Sequence, residues 1–351
     1  MRISTSRKED GSMNKQELFS SSMTSFFMEY ISPRYLKGTC PSTIVNALKS
    51  LDRFLISVRY DKDYLLRTEY DEWAKTLVNV KPMTEYNYKC SVINFLHFLC
   101  HIGHDSFIPI RPKHPANEFV PYVFSKDEME RIFRSVDNLR VRPKRSTAVL
   151  MVMPAILRLL YSTGIRIGEA LSLKNRDVDF DRHIIILNKT KNNCQRLAPI
   201  NQSLEMVLKR YVKYRDKMPI EDTKAADSFF FVSHRGYPIS HENAYDTFVK
   251  VLKAASIDRK SNHEGPNLHS IRHTACMHAL KNLIDSGMDM YCSLPILSAF
   301  MGHKNVYDTE RYIHLTAEYF PDILDKTSEI DEGIRNIITK AIIKDGNEDE
   351  K

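Results

Sequence analysis

The sequence predicts a mainly α protein with one small antiparallel β-sheet, divided into two domains. Three observations carry that prediction. A length of 351 residues is more than one hydrophobic core usually fills, so two domains are expected. Residues 15–104 repeat their apolar side chains at helical spacing. Beyond a proline-rich stretch at 105–119, helical segments surround a single β-branched run and its return strand.

Each element follows in order. Residues 1–14 hold Arg2, Arg7, Lys8, Glu9 and Asp10 and read as a disordered tail without the apolar stretch of a signal peptide. In residues 15–104, Val92, Phe95, Leu96 and Leu99 fall at i, i+3, i+4 and i+7, one apolar stripe on a helix. Ile44, Leu48, Leu51 and Leu55 repeat at similar spacing after Pro41-Ser42. Residues 18–31 and 70–78 supply two further candidate helices, and a bundle of about four helices is the sensible packing. In residues 105–119, Pro109, Pro112 and Pro115 alternate with Arg111, Lys113 and His114. Proline fixes φ and removes a backbone donor, so this is an extended basic linker.

The second domain spans residues 120–320. Helices are expected at 125–136 and at 147–161, the latter despite Pro154. The run His183-Ile184-Ile185-Ile186-Leu187 predicts a strand, Arg196-Leu197-Ala198-Pro199-Ile200 its return, and residues 188–195 the hairpin between them. Residues 204–218 and 241–255 are helical, with a turn at Arg235-Gly236-Tyr237-Pro238. In residues 321–351, Ile330, Ile334, Ile337, Ile338, Ala341 and Ile342 share one helical face, so a terminal helix and an acidic tail are expected.

Composition narrows the function classes. The net charge of +7 is uneven: residues 317–351 carry ten acids and five bases, leaving +12 on residues 1–316. A basic body favours a polyanionic partner, which the acidic end would avoid. The longest apolar run, residues 148–157, is too short to span a bilayer, so no membrane partner and a cytosolic location are expected. Six cysteines with no CxxC pair argue for reduced, packed thiols over a disulfide framework or a cysteine zinc site.

The chemistry-bearing residues cluster late in the chain. Thr163-Gly164 is a turn signal, and Arg166 after it stands at a helix start, where free N–H groups also attract anions. Glu169, three residues on, is placed to orient that guanidinium or to form an ordinary surface pair with it. His269 and Arg272 share a helical face at i and i+3. His269 and His273 at i and i+4, with His303, are an alternative zinc set. Against that set stand Arg272 between the histidines and the lack of a glutamate after the first. Lys191 lies in the hairpin, and Tyr312 follows His303 by nine positions. Arginine forks grip phosphate oxygens, imidazoles move protons and a phenol attacks phosphorus, so together these residues suit phosphoryl transfer.

These segments resemble the tyrosine recombinase, or phage integrase, family. Thr163-Gly164-Ile165-Arg166-Ile167-Gly168-Glu169-Ala170-Leu171 is similar to that family's first arginine box, and His269-Ser270-Ile271-Arg272-His273-Thr274 to its His-x-x-Arg-His-Thr box. Gly302-His303 with Tyr312 and His314 resembles its Gly-His and nucleophile box, and Lys191, with Lys189 as the alternative, its hairpin lysine. Two departures stand out: a longer stretch between Arg272 and His303, and Ser270 and Met301 at positions where other residues are commoner.

The resemblance implies a two-domain clamp on double-stranded DNA: a helical core-binding domain at 15–104 and a mixed α+β catalytic domain at 120–320. It implies a site-specific recombinase working through a 3′-phosphotyrosine and a Holliday junction, without ATP, metal or other cofactor. The catalytic set is Arg166, Lys191, His269, Arg272, His303 and the nucleophile Tyr312, with Glu169 holding Arg166. A homotetramer on DNA, subunit exchange of the terminal helix at 321–351, and accessory DNA-bending or directionality proteins are further implications. Residues 241–255 are the candidate groove-reading helix. The alternatives are a type IB topoisomerase, a catalytically inactive DNA-binding regulator and a histidine-zinc hydrolase.

Overall fold

Apolar stripes at helical spacing become helices that bury three hydrophobic clusters among the described residues. The computed structural model describes residues 18–36, 42–115, 120–139, 149–188, 195–220, 222–259, 265–303, 309 and 312. The chain divides into two units, residues 1–119 and 120–351.

The first unit holds α1 (Thr24–Leu36), α2 (Ser42–Ser57), α3 (Arg67–Lys75) and α4 (Pro82–His101). Pro82 opens α4 at a position whose N–H would be unpaired in any case. Val92, Phe95, Leu96 and Leu99 on α4 are buried, as are Leu48, Leu51 and Leu55 on α2, which packs against it. Helix α1 starts later than residue 18 because Asp52 intervenes. This buried carboxylate accepts the amides of Ser20 and Ser21 at 2.9–3.2 Å, holding that segment out of helical geometry. Residues 105–115 form neither helix nor strand. They are nevertheless tied down, Phe107 donating to the Leu65 carbonyl at 2.8 Å.

The second unit opens with α5 (Lys126–Asn138), whose Ser125 and Glu128 close a reciprocal capping box. Helix α6 (Val149–Thr163) carries Pro154 and supplies the centre of the core through Val152, Ile156, Leu159 and Leu160. The short α7 (Ile167–Ser172) leads through a 3-10 turn to the sheet: β1 (Val178–Asp179), β2 (Ile184–Leu187) and β3 (Arg196–Pro199), antiparallel in that order. Sequence reading missed β1, whose two residues are too few to show alternation. Register pairs Ile185 with Ala198 and Leu187 with Arg196. Then follow α8 (Gln202–Arg215), α9 (His241–Ala254), α10 (Leu268–Asp285) and α11 (Met290–Met301). Helix α9 buries Ala244, Phe248 and Val251 and leaves His241, Asn243 and Lys250 exposed. Helix α11 occupies part of the long stretch after Arg272. It packs on α10, which in turn packs on α6. No described helix is long and apolar enough to cross a membrane.

Candidate active site

The first arginine is placed by a reversal of the chain. Gly164 follows α6 with φ +60°, and a Cβ there would lie 2.9 Å from Met301 Sδ, so only glycine fits both the turn and the close approach. The chain then extends to Arg166, the N-cap of α7. Its amide donates to Glu169 Oε2 at 2.9 Å and its Nη1 to Oε1 at 2.8 Å. Glu169 is 4% exposed, so this is a built buried pair and not a surface one. A second guanidinium, from Arg196 on β3, donates Nη2 to Oε2 at 2.8 Å. Burial pushes the Glu169 carboxyl up, but the Arg166 amide and the two guanidiniums together hold it below its usual range.

The second arginine sits on α10. Asn267 caps that helix and Ser270 completes the box, its Oγ accepting the Asn267 amide at 3.1 Å. The uncommon Ser270 is thus a capping residue. Thr274 Oγ1 accepts the Phe124 amide at 2.9 Å and fixes α10 to the segment before α5. One turn in from the cap, Arg272 is buried and donates Nη1 to the Gly164 carbonyl and Nη2 to the Met301 carbonyl, the latter at 2.7 Å. Burial, then the charges of Arg166 and Arg196, lower its pKa to about 10, so it stays cationic at neutral pH. Met301 serves twice, its sulfur beside Gly164 and its carbonyl on Arg272.

The histidines and the tyrosine complete the cluster. Tyr312 is 3% exposed and packs with Cys276, Met277 and Leu297. Its Oη lies 2.7 Å from His273 Nδ1. The exposed His269 meets His273 edge to face, with centroids 4.6 Å apart. His303 Nδ1 is 2.8 Å from Thr309 Oγ1, and its ring lies parallel to that of Tyr312 at 6.3 Å.

The structure therefore brings together Arg166, Glu169, His269, Arg272, His303 and Tyr312. Lys191 and Lys189, residues 1–14 and the stripe at Ile330–Ile342 lie outside the described residues. Among the described residues no three His, Cys, Asp or Glu side chains gather as a metal site. Sequence reading treated His273 only as a candidate zinc ligand and missed Arg196 as a site residue. A signal for Arg196 existed. In the strand alternation it shares a face with buried Ala198 while Leu197 is 61% exposed, so a charge points inward. Two guanidiniums on one carboxylate, with Arg272 held on the Gly164 and Met301 carbonyls, leave a net positive pocket that a bound anion would balance, and phosphate suits the bidentate forks.

Comparison with known proteins agrees with that chemistry. The family model described as "Phage integrase family" matches residues 123–318. An integrase/recombinase of Sinorhizobium fredii is 28% identical over 247 residues, covering 70% of this chain and 75% of its own. Tyrosine recombinase XerD of Listeria monocytogenes is 27% identical over 246 residues, covering 69% and 75%. Among solved structures, the Tn1549 transposon integrase in complex with transposon right end DNA is 18% identical with a TM-score of 0.62, covering 82% of this chain and 94% of its own. The XerH recombinase bound to palindromic difH substrate is 16% identical with a TM-score of 0.61, covering 83% and 80%. At those identities the structures speak to the fold.

Proposed function

The chain belongs to the phage integrase family and is a tyrosine recombinase, an enzyme that breaks and rejoins DNA by transesterification, and from that premise we propose how its residues divide the work. Tyr312 Oη attacks the scissile phosphorus, forming a 3′-phosphotyrosine and releasing the 5′-oxygen. A 5′-hydroxyl from a partner duplex later attacks that phosphotyrosine and restores the phosphodiester. The bond energy stays in the covalent intermediate. Two rounds pass through a four-way junction.

Arg166 and Arg272 stabilise the nonbridging oxygens as charge builds on the five-coordinate phosphorus. Lys191 protonates the leaving 5′-oxygen. His269 takes the phenolic proton, His303 donates to the phosphate and Glu169 aims Arg166. The reading includes a homotetramer on paired sites, accessory DNA-bending or directionality proteins and a place on cytoplasmic DNA. The observation that carries it is the way Arg272 joins the boxes: its two donors reach Gly164, within the first arginine box, and Met301, beside Gly302-His303.

Tyr312 is 3% exposed, so attack requires it to leave its contact with His273. A nicked duplex carrying the recombination site tests the reading. The full chain should form a covalent adduct in EDTA and exchange strands between two sites. No adduct, or relaxation without exchange, would point to a regulator or to a topoisomerase-like activity.

A further inference from the structure

Arg196 has a place in the site that no catalytic role explains. Its Nη2 donates to Glu169 at 2.8 Å and its Nη1 to the Phe300 carbonyl at 2.6 Å, with the side chain 11% exposed. One guanidinium thus joins β3, the carboxylate that aims Arg166, and the last turn of α11. Gly302 comes next after that turn. It has φ +64°, and a Cβ on it would stand 2.6 Å from both Cδ and Nε of Arg196. The chain can reach His303 over this arginine only through glycine. Arg196 Nε is buried with no partner among the described residues. A side chain chosen only to fill the space would avoid that cost. The arrangement makes sense if its two remaining arms hold something that must be held.

Resting on the recombinase reading above, we propose that Arg196 is a positioning residue for strand cleavage. It locks Arg166, through Glu169, and His303, through the end of α11, into one geometry set by β3. Its contacts are to Glu169 and the Phe300 carbonyl, and it acts through them. β3 also pairs antiparallel with β2, so the same side chain ties that strand pair to the arginine pair. Placement errors of about 1 Å at such a site cost on the order of 10²-fold in rate.

The test uses the full chain and single-turnover adduct formation on the nicked duplex. Absence of a Tyr312 adduct with the unmodified chain would sink the recombinase reading itself; given that adduct, the variants judge Arg196 alone. R196M should bind the duplex almost as before and form adduct about 10²-fold more slowly. The pH at which R196M loses stability on acidification should move upward, because Glu169 has lost one of its two guanidiniums, and E169Q in the same chain should remove that movement. G302A, which pushes Arg196 aside without removing it, should also slow cleavage, yet add little to R196M. Should R196M fail to fold, G302A decides by itself: slow cleavage with retained binding supports the proposal. Cleavage at the unmodified rate in R196M or G302A overturns it. So does an unmoved acid transition of stability in R196M, or an additive loss in the double variant.

Discussion

Tyr312 Oη and His273 Nδ1 stand 2.7 Å apart in a buried contact, while His269 meets the same imidazole edge to face. The order His269, His273, Tyr312 gives the two histidines different duties. In the mechanism proposed above, His273 holds the phenol at rest and His269 is the group that takes its proton once the tyrosine engages DNA. His269→Gln should therefore cut adduct formation by about 10²–10⁴-fold, the usual weight of one acid–base group. His273→Gln keeps a hydrogen-bonding group and disturbs one contact of about 1 kcal/mol, so it should change the rate by roughly tenfold or less. Single-turnover cleavage of both variants checks this. The reverse pattern would make His273 the base.

Arg166→Lys and Arg272→Lys keep the charge but lose the fork. An ammonium cannot span Gly164 and Met301 as Arg272 does, nor present two parallel donors to a phosphate. Each should slow cleavage by about 10²–10³-fold with modest loss of DNA affinity, measured by adduct formation and filter binding. A lysine variant that cleaves normally would reduce that arginine to a backbone contact.

Glu169 gives the fold a pH dependence with a definite sign. Its folded pKa lies below the ordinary 4.5 because, against the upward push of burial, the Arg166 amide and both guanidiniums favour the carboxylate. A depressed folded value contributes stability that is fully present above the unfolded pKa and is lost as pH falls through the folded one. Thermal melts from neutral pH downward should therefore show a drop below about pH 4.5 that Glu169→Gln flattens. Parallel curves for the two proteins would mean the carboxylate contributes nothing to acid stability.

Gly164 offers a test of the frame that holds Arg272. Alanine there meets both a left-handed φ of +60° and the Met301 sulfur at 2.9 Å. Gly164→Ala should cost on the order of 1–3 kcal/mol and lower the melting temperature, with cleavage falling further than stability because the Gly164 carbonyl is an Arg272 partner. An unchanged melting temperature would show that the loop yields.

Most of the site could be read from sequence because arginine, histidine and glycine sit in short local boxes. The fold class was legible too, since the stripes of α2 and α4 are strictly periodic and end up buried. What escaped depends on distant partners. Asp52 caps residues some thirty positions earlier, which moved the start of α1. Arg196 works through Glu169 and Phe300 on other elements, and the strand alternation that turns it inward does not identify those partners. His273 stands four residues after His269 and so read as a candidate zinc ligand, although it is the residue in contact with Tyr312.

The central claim is that Tyr312 is the nucleophile. Its most direct test is mass spectrometry of the covalent complex trapped on a nicked site, with Tyr312→Phe run beside it. A phosphodeoxynucleotide is expected on the peptide containing Tyr312, and a Phe variant that binds DNA yet forms no adduct, since it lacks a single oxygen. An adduct on Tyr307 or Tyr319, or one that persists in Tyr312→Phe, would contradict it.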